Sequence, residues 1–179
     1  MPLPLRTLCL AASLAVLGGC ASMSPQECRT ADWYEKGRSD GLHGESRAYF
    51  EDHVKACAEV GVQPDGAAYR RGWDLGIQSF CTPQSGRDTG RAGRYYSSGT
   101  CPAALEPAFE REYRRGRDVY TARQQLDQVR NRQQSKQSDL DRAKDDGVRE
   151  RLRRDLRDLD REANLARDNL DRAERRLYD

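Results

Sequence analysis

Apolar side chains recur at alternating steps of four and three residues near the end of the chain, which is the spacing of a coiled-coil seam. This seam comprises Leu152, Leu156, Leu159, Ala163, Ala166, Leu170, Ala173 and Leu177. An earlier and weaker seam comprises Leu126, Val129, Gln133, Lys136, Leu140 and Ala143. The two seams are out of phase, and the turn signal Asp145-Asp146-Gly147 lies between them. The pattern predicts two antiparallel helices, over about 104–144 and 148–178, that form a hairpin; one uninterrupted helix with a phase slip is the alternative.

The polar residues Gln133 and Lys136 weaken the first seam of this hairpin. The leucine seam of the second helix is therefore expected to be incompletely covered by its own hairpin partner. A protein partner or a second copy of the chain would then pack on Leu152, Leu156, Leu159 and Leu170. The alternative is a sparse two-helix coil held by many Arg/Asp pairs, each worth a few tenths of a kcal/mol.

The preceding part of the chain has shorter apolar patterns, which predict a small helical domain. Helices are expected over about residues 30–42, 47–60 and 65–80. The stretch from Thr82 to Thr100 is rich in Gly, Ser, Asp and Arg, so it is expected to form a loop or short turns. Composition changes sharply near residue 121, because every Trp, every Phe and all Tyr except Tyr178 precede it.

An aromatic residue followed three positions later by glycine occurs three times in this domain. The copies are Tyr34-x-x-Gly37-x-x-x-Gly41, Tyr69-x-x-Gly72-x-x-x-Gly76 and Tyr113-x-x-Gly116-x-x-x-Tyr120. The second and third copies match most closely, and each has a cysteine 12 residues ahead, which indicates an internal duplication. Steps of three and four place the motif residues on one helical face.

Each glycine within a helix costs about 1 kcal/mol relative to alanine, so the motif needs a compensating role. One explanation is close packing of a helix backbone or an aromatic ring against the glycines. The other is a ligand groove, for example for a glycan, lined by glycine backbone and aromatic rings. The candidate packing or ligand face comprises Trp33, Gly37, Gly41, Tyr69, Gly72, Trp73, Gly76, Tyr113 and Gly116.

The first 19 residues have the basic start, apolar centre and small-residue cleavage site of a signal peptide. They end in the lipobox Leu17-Gly18-Gly19-Cys20, which predicts cleavage before a lipidated Cys20 and a lipidated tether over residues 20–27. Because Ala21 and not an acidic residue follows Cys20, we expect an outer-membrane lipoprotein that faces the periplasm. An ordinary cleaved secretory signal is the alternative.

Four cysteines remain in the mature body, and an even number in an oxidising compartment predicts two disulfides. A helix over 65–80 would place Cys57 and Cys81 about 24 Å apart, whereas a disulfide needs a Cα separation of about 6 Å. An antiparallel hairpin of the first two helices would bring the other candidates together. The layout favours two pairs, Cys28 with Cys57 and Cys81 with Cys101. The predicted fold class is all-α: a disulfide-stapled helical domain over 28–120, then a charged coiled-coil hairpin over 121–179.

Composition and motifs exclude several functional classes. The chain has 31 basic and 29 acidic residues, so no bulk charge favours nucleic acid. His53 and Cys57, at i and i+4, are the nearest approach to a catalytic dyad, but disulfide bonding of Cys57 would silence it. His43 and His53 are expected at the surface or as capping residues, and a zinc site is the weaker use of the cysteines. We expect no enzymatic activity, cofactor or bound metal.

Several motifs together carry a resemblance to a known family. They are the lipobox, Trp33-x-x-x-Gly37-x-x-Asp40-Gly41, Tyr69-x-x-Gly72, Cys81-Thr82-Pro83, Cys101-Pro102 and the C-terminal coil. Over about residues 28–126 the chain resembles an uncharacterised family of Gram-negative lipoproteins, a domain of unknown function. The resemblance implies an envelope location and a helical fold, and no activity. We expect a scaffold or adaptor that presents its hairpin to protein partners; the alternative is a peptidoglycan-binding or glycan-acting module that uses the motif faces.

Overall fold

The computed structural model describes residues 22–178, so the predicted signal peptide, the predicted lipobox and the predicted lipidation site Cys20 lie outside the described residues. Within this range the fold is all-α, as the sequence predicts, and contains no strand. The helices are α1 (Pro25–Thr30), α2 (Trp33–His43), α3 (Phe50–Ala58), α4 (Gly66–Phe80), α5 (Pro83–Arg91), α6 (Glu106–Arg142) and α7 (Asp146–Tyr178). A short 3-10 helix, Arg47–Tyr49, leads into α3.

Side-chain caps define where several of these helices begin. Asp32 accepts hydrogen bonds from two backbone N–H groups at the start of α2, and Asp65 does the same for α4. Ser24 and Glu27 form a capping box at α1. Thr82 caps α5, whose first residue is a proline. These caps satisfy backbone donors that a helix start otherwise leaves without partners.

The helices of the globular part form two parallel pairs, which we call the head. In the first pair, Gly37 faces the carbonyl of Tyr69, and Gly41 faces that of Trp73 one turn later, so α2 and α4 run in the same direction. In the second pair α5 runs parallel to the first half of α6. The predicted antiparallel hairpin of α2 with the following helix is wrong: the main partner of α2 is α4, and α3 lies within the crossover connection.

Helix α5 lies where the sequence analysis expects only loop or turns, so that prediction is wrong for residues 83–91. Gly86 and Gly90 lie against the backbone of α6, and the buried Thr89 is on the same helix. The residues of α5 have little helix propensity of their own. Packing against α6 therefore supplies the stability that the local sequence lacks.

Two disulfides cross-link the head, and they are the pairs that the helix layout favours. Cys28 and Cys57 have a Cα separation of 5.4 Å, and Cys81 and Cys101 one of 5.7 Å. Each bond joins the segment ahead of the first helix of a pair to the segment ahead of the second. Every parallel pair is thus clamped at its starting end.

The coiled-coil hairpin consists of the second half of α6 and all of α7, which run antiparallel. Between them the chain turns at residues 143–145, where Asp145 accepts from the backbone N–H of Val148. The guanidinium of Arg149 donates to the carbonyls of Leu140 and Ala143 at the end of α6. The two-helix prediction is confirmed, although Gly147 lies inside the first turn of α7 and does not terminate α6.

The segment predicted as a lipidated tether is docked on the head over its described part. Met23 is buried in a cluster with the first disulfide, and Pro25–Thr30 form α1. The described part of the segment predicted as a lipidated tether over residues 20–27 thus packs on the head. A capping box and a buried methionine hold this segment in place, although its composition is typical of a linker.

Candidate functional site

The glycines of the predicted motif face lie directly against backbone atoms of the neighbouring helix. A Cβ at Gly72 would overlap the carbonyl of Tyr34, and one at Gly76 would overlap the carbonyl of Arg38. At Gly41 the nearest atom, the Trp73 carbonyl oxygen, would lie only 2.6 Å from an added Cβ. Such close approach permits Cα–H···O contacts between the helices. The space in front of these glycines is filled by helix backbone, which leaves no groove there for a ligand.

The aromatic residues of that face are also engaged within the head. Tyr69 is fully buried and Trp73 is 4 % exposed, both in the main core with Phe80 and Phe109. Trp33 and Tyr113 are half-buried against the same core. The aromatic rings therefore pack between helices, as the glycines do.

The two helix pairs repeat the same arrangement of glycines, as the predicted internal duplication implies. The residues that correspond in the two pairs differ from those that the sequence motif aligns. Gly37, Gly41 and Gly44 have the same spacing as Gly86, Gly90 and Gly93, and each set is the contact stripe of the first helix in a pair. The second set is absent from the predicted motif face because its segment is predicted as loop. Its identical spacing is the signal that would have revealed α5.

The end of each stripe repeats in atomic detail. Gly44 and Gly93 have positive φ, which non-glycine residues rarely adopt, and each lies against an aromatic ring of the second helix in its pair. The Trp73 Nε1–H donates to the Glu45 carbonyl at 2.9 Å, and the Tyr113 hydroxyl donates to the Arg94 carbonyl at 3.1 Å. Trp73 therefore corresponds to Tyr113, whereas the sequence motif aligned Tyr69 with Tyr113.

A buried polar cluster lies where α2, α3 and α4 meet. The His53 Nε2 lies 2.7 Å from Asp40 Oδ2, to which the Tyr69 hydroxyl donates at 2.9 Å. Lys36 Nζ approaches the other carboxylate oxygen at 3.1 Å. Burial raises the pKa of Asp40, but the hydrogen bonds from His53, Lys36 and Tyr69 outweigh it and hold that pKa below its ordinary value. Burial and the bond to Asp40 raise the pKa of Tyr69.

His53 also contacts the N-terminal segment, since its Nδ1 lies 2.8 Å from Ser22 Oγ. Ser22, His53 and Asp40 thus stand in the order of a hydrolase triad. The imidazole is completely buried, however, so a substrate carbonyl cannot reach it. The expectation that His53 lies at the surface is wrong, while His43 is exposed at the end of α2. Cys57 is in a disulfide, so it offers no thiol to His53.

A shallow cleft of about 390 Å³ lies between Trp73 and the loop that leads into α6. Its lining includes Ser46, Arg47, Trp73, Ser97, Ser98 and Pro102. The Arg47 guanidinium stacks 4.7 Å from the centre of the Trp73 ring and pairs with Asp74. The indole N–H is also used, by Glu45. The Arg47 guanidinium and the Trp73 ring, which would bind a ligand in the cleft, are therefore both engaged in contacts within the head.

The leucine seam of the hairpin is better covered than the sequence analysis expects. Leu152 and Leu159 are each 8 % exposed between the two helices, while Leu156 and Leu170 are half-buried. The polar positions of the first seam pair across the hairpin, Gln133 with Asp160 and Lys136 with Asp155. Of the four leucines proposed for a partner, two are thus already buried within the hairpin.

The most exposed leucine of the hairpin lies off this seam. Leu165 is 64 % exposed on α7, and it is absent from the predicted partner surface because it occupies no position of the heptad seam. The interhelical ion pair of Arg132 with Glu162 crosses the hairpin beside it. A single leucine among charged residues, outside the heptad seam, is the sequence feature that could have identified this exposed position.

None of the helices in residues 22–178 is long and apolar enough to cross a membrane. The same residues contain no group of three or more His, Cys, Asp or Glu side chains that could hold a metal ion.

Comparison with known proteins locates one matching family. Residues 32–118, a little under half of the chain, match the model of a family described as a protein of unknown function (DUF2799). The match spans both parallel helix pairs of the head and ends before the hairpin. No curated protein matches the chain. No solved structure matches it either.

Proposed function

We propose that this protein is a non-enzymatic lipoprotein of the outer membrane, facing the periplasm, whose head displays the α6–α7 hairpin to a protein partner. The carrying observation is the continuity of α6, which begins in the core of the head and ends at the turn of the hairpin. A helix of 37 residues is about 55 Å long. The hairpin is thereby held rigidly by the head.

The last turn of α7, at the base of the hairpin, is also attached to the head, which strengthens this proposal. Leu177 is buried against Val119, and the Arg87 guanidinium lies 5.8 Å from the ring centre of Tyr178. Both helices of the hairpin therefore have a fixed base. A rigid projection suits a display role, because a partner does not have to order it on binding.

The location rests on two features of the chain. The signal peptide and lipobox direct Cys20 to lipidation, and Ala21 after it favours the outer membrane. Two buried disulfides fit an oxidising compartment. Cys20→Ala should yield a soluble or uncleaved species, measured by membrane fractionation and intact mass. Unchanged fractionation and mass would contradict the lipoprotein assignment.

The display role is tested by photo-crosslinking in living cells with two matched positions. A photoreactive phenylalanine is placed at Leu165 of the hairpin or at Leu75 of α4, which are 64 % and 50 % exposed. We expect a discrete crosslinked protein of one mass from Leu165 and none from Leu75. A product from Leu75 alone would transfer the binding role to the head.

The motif faces proposed as an alternative glycan site offer little to a ligand, since backbone fills the space before their glycines. A pull-down with purified peptidoglycan sacculi separates the two functions. We expect the protein to stay in the supernatant; retention by sacculi that Arg47→Ala weakens would instead favour a glycan site in the cleft.

A further inference from the structure

The chain enters the head immediately after the predicted lipidation site. Ser22 is hydrogen-bonded to the buried His53, and Met23 is 6 % exposed. The next residue, Ser24, forms the capping box of α1, and Cys28 is in a disulfide. Each residue from Ser22 to the first disulfide is thus close to a contact that fixes its position. No flexible spacer separates this segment from the head.

The length of chain between the anchor and this docked segment is very short. Only Ala21 lies between Cys20 and Ser22. Two residue steps span at most about 7 Å, since an extended chain advances by no more than 3.6 Å per residue. The part of the head that holds Ser22 must therefore lie within about that distance of the Cys20 backbone. A diacylglyceryl group on Cys20 would place that backbone at the level of the lipid headgroups.

The surface beside this entry point has apolar character. Ala31, Trp33, Val60 and Val62 are half-buried around Met23 and the first disulfide. The left-handed Gly61 makes the turn that brings the two valines to this surface. Half-buried apolar groups with a tryptophan among them suit the headgroup region, where tryptophan is enriched.

We propose that this anchor-proximal surface of the head, formed by Ala31, Trp33, Val60 and Val62 around the buried Met23, rests on the headgroups of the membrane that holds the lipid anchor. The inference rests on the lipidation of Cys20 proposed above. The hairpin is attached to a different part of the head, because α7 packs on α6 and, through Tyr178, on Arg87 of α5. Membrane and hairpin are thus assigned to different helix pairs.

The two native tryptophans provide the test. Trp33 belongs to the anchor-proximal surface, whereas Trp73 lines the cleft between the helix pairs. Full-length lipidated Trp73→Phe and Trp33→Phe variants, each with one tryptophan, are reconstituted on phosphatidylethanolamine–phosphatidylglycerol vesicles that carry a nitroxide on a fraction of their headgroups. We expect loss of Trp33 emission and unchanged Trp73 emission.

A linker variant serves as the matched control. Insertion of about 15 Gly and Ser residues between Ala21 and Ser22 gives a root-mean-square span of roughly 20 Å. This variant should keep its lipid and its vesicle binding, while Trp33 emission recovers to the level without nitroxide. Such recovery would attribute the contact to the short connection.

Two negative outcomes are distinguishable. If the wild-type length is lipidated and vesicle-bound, yet Trp33 is quenched no more than Trp73, the membrane contact is overturned and the lipoprotein assignment stands. If mass spectrometry finds no lipid on Cys20 and the protein does not bind vesicles, both the proposed function and this inference fail. Near-ultraviolet circular dichroism of each single-tryptophan variant verifies that the head is folded.

Discussion

The head and the hairpin are both made of paired helices, but they are held together in different ways. In the head, helix backbones touch through glycines, and two disulfides clamp the pairs. In the hairpin, leucine and alanine side chains fill the interface, and exposed ion pairs flank it. Helix α6 takes part in both: its Gly116 lies against the Arg87 carbonyl, and its Leu126 is buried in the hairpin.

This difference decides how each region tolerates change. Backbone contact leaves no room for a methyl group, so a single added Cβ in the head forces the helices apart. A side-chain interface spreads its stability over many positions, and its exposed ion pairs each contribute less than about 1 kcal/mol. Sensitivity to substitution is therefore concentrated at a few glycines of the head, whereas in the hairpin it is distributed over many side chains.

The largest expected effect comes from removal of the two disulfides, which cross-link the head and not the hairpin. Replacement of all four disulfide cysteines by alanine should destabilise the head by about 6 kcal/mol, because each closed loop of 20 to 30 residues contributes roughly 3 kcal/mol. The near-ultraviolet signal of the head aromatics should be lost, while the far-ultraviolet helical signal of the hairpin largely persists. Simultaneous loss of both signals in a urea titration would show that the regions unfold as one unit.

A single methyl group tests the backbone contacts. Gly72→Ala should lower the free energy of unfolding by about 3 kcal/mol, since overpacking outweighs the gain of about 1 kcal/mol in helix propensity. Gly147→Ala in α7 is the matched control, because the nearest atom to an added Cβ is a side-chain oxygen of Asp145, at 3.2 Å, and not the backbone of another helix. That change should alter the free energy of unfolding by less than about 1 kcal/mol, because the gain in helix propensity is offset by a small shift of the capping Asp145 side chain. Equal chemical-denaturation midpoints for the two variants would refute the contrast.

Truncation of leucines tests the side-chain interface. Leu159→Ala should cost about 2 to 3 kcal/mol, because it removes a buried side chain between α6 and α7. Leu165→Ala should change the free energy of unfolding by less than about 0.5 kcal/mol, as expected at an exposed site. Thermal unfolding followed at 222 nm measures both. A similar cost at the two positions would mean that a partner surface or a second copy covers Leu165.

The smallest expected effect concerns the buried carboxylate of the head. Asp40→Asn should cost about 2 kcal/mol at neutral pH, the value of a hydrogen bond to a charged group. Because the pKa of Asp40 is lowered in the folded state, this stabilisation is present above its ordinary pKa of about 3.9 and is lost as pH falls through the folded value. The difference between wild type and variant should therefore narrow below about pH 4.

The half-exposed Asp155 of the hairpin is the control for this pH dependence. Its ion pair with Lys136 leaves both side chains partly in solvent, so Asp155→Asn should cost less than about 1 kcal/mol. Urea denaturation at several pH values compares the two variants. A pH-independent cost for Asp40→Asn would mean that its carboxylate does not supply the stabilisation.

The elements with strong local signals were predictable from the sequence. The leucine period of α7 indicated the hairpin, and the helix over 65–80 was enough to exclude Cys57 from pairing with Cys81. Helix α5 was missed because its stability comes from contact between Gly86 or Gly90 and α6, which no local pattern records. The parallel pairing of the helices escaped prediction for the same reason.

The buried polar cluster was not predictable from local sequence. His53 has charged neighbours on both sides along the chain, which are typical of a surface helix. Its partners Asp40 and Ser22 are 13 and 31 residues away. A polar residue is recognised as buried only when the groups that satisfy it are known, and these are brought together by the tertiary fold.

The unbroken course of α6 makes the hairpin a lever arm. From residue 121 to its last residue the helix extends about 33 Å beyond the head, so a tilt of about 5° at the base moves the tip by about 3 Å. The base of this arm lies against α5, whose glycines leave no slack for such a tilt. A force applied at the tip is therefore transmitted to the second helix pair and its disulfide, and is not absorbed by a hinge.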